Sequence, residues 1–165
     1  MLTANGPMIL EYNCRFGDPE TQVLLPLLSS DLYSILLSCV KGNLQASQVQ
    51  WKENLFASTV ICASGGYPDS YQKGFPIEGL DKIKGENVIV YHSGTQVTSE
   101  PNQVVLSNGG RVLSITGLGN TLRDAVAMSY EAIQNISFSG MQYRRDIAHR
   151  YKISFQFNSI RFDSI

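Results

Sequence analysis

The chain has 165 residues, enough to bury a core as one domain or as one domain plus part of another. Thirteen Lys and Arg against fourteen Asp and Glu leave a formal net charge of −1, which excludes a global pull toward nucleic acid or an anionic membrane surface. Charged residues make up 16%, low against roughly 25% in typical domains, and this points to surface normally covered by further chain or by a partner.

The first predicted element is a strand over residues 8–13, an apolar run that turns polar on one face. Alternation would send Glu11, Asn13 and Arg15 the same way. A carboxylate, an amide oxygen and a guanidinium converging at a strand end suit Mg²⁺ and phosphate. The solvated face of an edge strand would carry the same residues. After Gly17, Asp18 suits a helix N-cap, Pro19 the first helical position and Glu20 the first turn. That helix end could receive an anion, although capping alone accounts for the three residues. Pro26 predicts a kink or a short helix, with a restart at Ser30-Asp31. Leu32, Ile35, Leu36, Cys39 and Val40 then follow at helical spacing, and Lys41-Gly42 is a C-terminal stop.

Residues 43–56 are mixed and polar, and we place a domain boundary there. A buried strand is expected over 57–63, a turn at Gly65-Gly66-Tyr67-Pro68 and a strand over 88–91. Asn108-Gly109 lies between apolar runs at 104–106 and 112–116, which predicts a hairpin. Leu122, Ala125, Val126, Ser129, Ala132, Ile133 and Ile136 mark one face of a helix capped by Asn120 or Thr121. Cys14, Cys39 and Cys62 form no metal or disulfide framework. All three are expected to be packed side chains of a protein in a reducing compartment, by default the cytosol. No signal peptide or bilayer-length apolar run is evident. Ile153, Phe155 and Phe157 alternate in the tail, as in an extra strand or an exposed apolar segment.

The run Glu-Tyr-Asn-Cys-Arg-Phe-Gly-Asp-Pro-Glu-Thr-Gln, residues 11–22, resembles the C-terminal part of the ATP-grasp core of the glycinamide ribonucleotide synthetase (phosphoribosylamine–glycine ligase) family. The resemblance continues in the family's order through Ser30-Asp31-Leu32, Gly65-Gly66-Tyr67-Pro68, His92-Ser93-Gly94-Thr95, Asn108-Gly109-Gly110-Arg111-Val112-Leu113 and Tyr143-Arg144-Arg145-Asp146-Ile147. Several ordered blocks are far more specific than one motif. Two departures stand out. Met1 aligns with an interior methionine of the family pattern, and Ala148 stands where the family usually has glycine.

The resemblance implies an α+β chain. Residues 1–50 would be the C-terminal end of an ATP-grasp domain, 51–150 a small mixed or antiparallel sheet domain with one main helix, and 151–165 a divergent tail. It implies part of an ATP-dependent ligase of purine biosynthesis, in some organisms within a multifunctional protein. The substrates would be ATP, glycine and 5-phosphoribosylamine. Glu11 and Asn13 match the family's metal pair for Mg²⁺ or Mn²⁺. Arg15 is assigned to phosphate charge as the catalytic cation. Arg15, Gly17 and Asp18 would border the nucleotide or substrates. Gly94 and Thr95 could contact phosphate or simply form a turn; His92 and His149 are expected to be structural. The family's N-terminal half would precede this chain, so the chain alone is expected to be inactive and to need that half as its partner. The alternatives are a non-catalytic partner-binding fragment and another ATP-grasp carboxylate–amine ligase.

Overall fold

The computed structural model describes residues 1–149 apart from Asn5, Glu100 and Asn102. The expected strand in the tail lies outside the described residues.

The core is built on strand β7 (Arg111–Gly119), whose interior is buried on both faces. It pairs antiparallel with β3 (Phe56–Ala63) on one side and with β4 (Val88–His92) on the other. The sheet order is therefore β3-β7-β4. Helix α3 (Leu122–Ile133) lies across one face, capped as expected by Thr121, whose side chain accepts the Asp124 N–H at 3.1 Å. Leu113 and Ile115 of β7, Val60 and Cys62 of β3, and Ala132 and Ile133 of α3 form the centre of the buried cluster. Helix and strand meet closely because position 117 is glycine: a Cβ there would lie 2.3 Å from the Ala125 carbonyl oxygen. Ser129 reinforces the same contact. Its hydroxyl accepts the Gly117 N–H at 2.9 Å and donates to the Ser58 carbonyl at 2.8 Å.

On the other face lies the short helix α1 (Thr21–Leu27). The Thr116 hydroxyl donates to the Gln22 carbonyl at 3.1 Å and accepts from Thr59 at 2.9 Å. Pro26 sits inside α1, is its buried residue, and the helix ends one residue later. Helix α2 (Leu32–Val40) restarts the chain as expected, with Asp31 accepting the Ser34 N–H at 2.8 Å, and a left-handed Gly42 follows its end. The polar stretch after α2 returns over α1: Trp51 bridges Leu28, and the Lys52 N–H reaches the Leu27 carbonyl at 2.8 Å.

Four expectations need correction. Residues 8–13 form no strand: among the described residues the one ladder near them, β1 (Leu2–Thr3) with β2 (Gly6–Pro7), closes at the Met1–Met8 contacts. Asp18 is not a helix cap: α1 begins at Thr21, and the Asp18 carboxylate is taken by Gln22 and Arg111. Asn108-Gly109 is not a hairpin tip. Strand β6 (Val105–Ser107) pairs with β5 (Thr95–Val97), while β7 pairs with β4. The chain thus makes one long hairpin, β4–β5 against β6–β7, whose tip lies between Thr98 and Val104. Asn108-Gly109-Gly110 is the bend in its second arm, seated against Ser93-Gly94 in the first. The Asn108 N–H donates to the Gly94 carbonyl at 2.7 Å, and a Cβ on Gly94 would lie 2.7 Å from the Gly109 Cα. Finally, Cys14 and Cys39 are exposed and only Cys62 is packed. Cys14 lies on the unpaired stretch and Cys39 on a helix with no buried residue. Burial pushes the Cys62 thiol up to about 12.

Candidate functional site

The predicted site residues lie on the irregular stretch between β2 and α1. Glu11, Asn13 and Arg15 are all exposed. Glu11 and Asn13 are two positions apart, and their side chains meet, with Asn13 Nδ2 3.4 Å from Glu11 Oε1. The spacing thus brings the carboxylate and the amide together without a ladder to hold them. Arg15 turns elsewhere, its guanidinium donating to the Phe16 carbonyl at 2.9 Å. Gly17 opens the helix approach: its carbonyl accepts the Thr21 N–H at 3.1 Å.

Asp18 is the anchored member. Its carboxylate accepts from Gln22 at 2.9 Å and pairs with Arg111 at 3.2 Å. Arg111 also donates to the Asp18 carbonyl at 2.7 Å. Arg111 begins β7, so the central strand of the sheet directly holds the end of the candidate stretch. In the sequence Arg111 stands only as one member of a family block. A contact across 93 positions has no local pattern.

The pair can be tested against a divalent ion by its chemistry. Mg²⁺ binds through one or two protein oxygens and completes its shell with water and phosphate. A carboxylate with an adjacent amide, both facing solvent, fits that partial share, the amide turning its oxygen inward. Among the described residues no cluster of three or more His, Cys, Asp or Glu side chains could hold a metal by itself. A protein-only cage is therefore not what these residues build.

The other candidates are tied into local structure. His92 Nδ1 and Thr95 Oγ1 share a hydrogen bond at 3.0 Å across the hairpin bend. Arg144 and Asp146 form a two-pronged pair at 2.9 and 2.8 Å. That contact holds the Asp146 carboxyl below its ordinary value and the guanidinium above its own. Arg145 stacks over Tyr143 at 5.6 Å, and His149 Nδ1 lies 2.8 Å from the Asp146 carbonyl oxygen. A cleft of about 680 Å³ opens between α3 and residues 145–149, walled by Arg123, Val126, Tyr130 and Ile147. None of Glu11, Asn13, Arg15, Gly17 or Asp18 lines it. Ala148 has a left-handed backbone, φ 63°, so a side chain occupies a conformation that favours glycine.

Comparison with known proteins fixes the family. The profile of the phosphoribosylglycinamide synthetase C domain matches residues 57–150, the span of the sheet and α3. A phosphoribosylamine–glycine ligase of Synechocystis is 49% identical over 152 residues, covering 91% of this chain and 35% of that protein. A bifunctional purine biosynthetic protein of Dictyostelium discoideum is 51% identical over 143 residues, covering 86% of this chain and 17% of its own length. The crystal structure of a Thermotoga maritima phosphoribosylamine–glycine ligase superposes with a TM-score of 0.71 at 35% identity, over 88% of this chain and 34% of that one. The chain belongs to the phosphoribosylglycinamide synthetase C-domain family. It spans about a third of the length of the single-function ligases it matches. The resemblance expected from the ordered sequence blocks is thus borne out, as is the α+β fold with antiparallel pairing; among the described residues there are three α-helices.

Proposed function

We propose that this chain is the C-terminal part of an ATP-dependent ligase that joins glycine to 5-phosphoribosylamine in purine biosynthesis. The carrying observation is family membership over the whole sheet domain, with 49% identity to a phosphoribosylamine–glycine ligase across 152 residues. A carboxylate resists attack by an amine. ATP would therefore convert glycine to glycyl phosphate, and the amine of phosphoribosylamine would displace phosphate. Such phosphoryl transfer rests on positioning and charge neutralisation.

In this reading Glu11 and Asn13 would hold a Mg²⁺ or Mn²⁺ ion, which would supply charge neutralisation for phosphate when bound. Arg15 is the cation for the transferring phosphate, swinging from the Phe16 carbonyl. Gly17 and Asp18 form the adjoining wall, fixed by Arg111. Residues 1–50 belong to the nucleotide-binding part and 51–150 to the C domain. The remaining groups that hold ATP, and the other substrate contacts, belong to the polypeptide that the longer relatives carry beyond this match. Exposed free thiols at Cys14 and Cys39 suit a reducing compartment such as the cytosol. Among the described residues no helix is long and apolar enough to cross a membrane.

Two assays test this. The isolated chain with ATP, Mg²⁺, glycine and phosphoribosylamine should give no turnover; robust turnover would overturn the division of the site. With the rest of the ligase supplied, Glu11→Ala should lower kcat by about 10²-fold or more, the scale of losing one transition-state charge contact. Near-normal turnover in that variant would remove Glu11 from the site.

A further inference from the structure

The stretch that carries Glu11, Asn13 and Arg15 has no helix or strand of its own. Among the described residues the bonds of these three side chains are local: Asn13 meets Glu11, and Arg15 reaches the next carbonyl. Where they point is therefore set by what holds the ends of the stretch. The downstream end is held at two points by one strand. Arg111, the first residue of β7, pairs with the Asp18 carboxylate at 3.2 Å and donates to the Asp18 carbonyl at 2.7 Å. Further along β7, the Thr116 hydroxyl donates to the carbonyl of Gln22 at 3.1 Å. Gln22 in turn donates to the other Asp18 carboxylate oxygen at 2.9 Å. Both carboxylate oxygens and the carbonyl of Asp18 are thus already engaged.

Arg111 is itself firmly seated. Ser64, buried just past the end of β3, donates its N–H to the Gly110 carbonyl and its hydroxyl to the Gly109 carbonyl, each at 2.8 Å. Gly109 lies against Gly94, and a Cβ on Gly110 would overlap the Tyr67 ring. The guanidinium therefore starts from a fixed point of the sheet domain, and its planar fork carries that fixity to Asp18. We propose that Arg111 is a positioning residue: seated by Ser64 and the two glycines, it grips Asp18 and so sets where residues 11–17 present their carboxylate, amide and guanidinium. Phosphoryl transfer rests on such placement, and an error of about 1 Å can cost on the order of 10²-fold in rate. A half-exposed pair adds little to global stability, so its loss separates placement from folding. The kinetic role rests on the ligase reading; the mechanical coupling does not.

NMR relaxation of the backbone amides of this chain reads the coupling. Arg111→Ala should lower the order of the Phe16 and Gly17 amides and leave those of Ile115 and Thr116 unchanged. Ser64→Ala should do the same to a smaller degree, and Arg111→Lys should fall between the parent and Arg111→Ala. With the rest of the ligase supplied, Arg111→Ala should lower kcat by about tenfold or more and leave the KM for ATP within about twofold. Arg111→Lys, which keeps the charge but not the fork, should recover part of that loss. Asp18→Ala combined with Arg111→Ala should cost no more than the larger single change, because the two side chains act as one unit. Unchanged order at Phe16 and Gly17 overturns the proposal, as do additive costs or a normal kcat in folded Arg111→Ala. If Arg111→Ala does not fold, Arg111→Lys carries the same readouts. A folded parent without turnover removes the ligase reading, and the relaxation result then decides the positioning alone.

Discussion

Ser129, Arg111, Ala148 and Asp31 illustrate four kinds of residue-level dependence. Ser129 is buried and joins α3 to two strands through one hydroxyl. Ser129→Ala removes the bonds to the Gly117 N–H and the Ser58 carbonyl in the core, and urea denaturation should register a loss of about 1–3 kcal/mol. Arg111→Ala removes a half-exposed pair, so global stability should fall by no more than about 1 kcal/mol. Hydrogen exchange at Thr21, which bonds to Gly17, should nevertheless accelerate, because the anchor of that turn is gone. Ala148→Gly relieves a left-handed backbone and should stabilise by about 1 kcal/mol, read as a higher urea midpoint. Asp31 is held below its ordinary value of 3.8 by the Ser34 hydroxyl and then by the Ser34 N–H. Its folded value is the lower one, so the cap is fully present above the ordinary value. It is lost as pH falls through the folded value. Helix signal from α2 should therefore decline below about pH 4 in the parent and show no such step in Asp31→Ala. Glu11 and Asn13 were legible as neighbours because two-residue spacing is local. Arg111 was not, since only the folded chain brings it to Asp18.

Among the elements, those whose signals are local were readable from the chain. Asp31 and Thr121 announce helix starts, Gly42 a helix end, and the 122–136 periodicity the buried face of α3. The bent hairpin was not readable, since Asn108-Gly109 carries the local signature of a tip. What decides its role is the contact with Gly94, set by pairing on both sides of the bend. Gly94→Val should force apart Gly109 and the Arg111 carbonyl, which lies 2.6 Å from the added Cβ. Thermal denaturation should show a loss above about 2 kcal/mol, an over-packing cost against backbone rather than a yielding side chain. The strand expected over 8–13 failed for the complementary reason: alternation needs a neighbour to become a strand, and the described chain offers none there.

At the scale of the molecule, the packing is lopsided. The sheet and α3 make a closed core, while α2 and the stretch from Met8 to Phe16 leave apolar side chains in water. The low charge noted in the sequence belongs to this second region. Apolar side chains left in water there should lower solubility more than they lower the stability of the C domain.

The position of β7 also governs the order in which the chain can assemble. Val97 finds Val105 only a few positions along the chain, and β7 runs directly into α3. Phe56, by contrast, must find Gly119 over most of the domain. Closing that long loop costs entropy before any contact repays it. The bent hairpin and α3 should thus form the transition state for folding, with β3 sliding into its edge afterwards. Val60→Ala should then mainly accelerate unfolding, whereas Val90→Ala should mainly slow refolding. The bend that hides the hairpin in the sequence is, on this account, where folding begins.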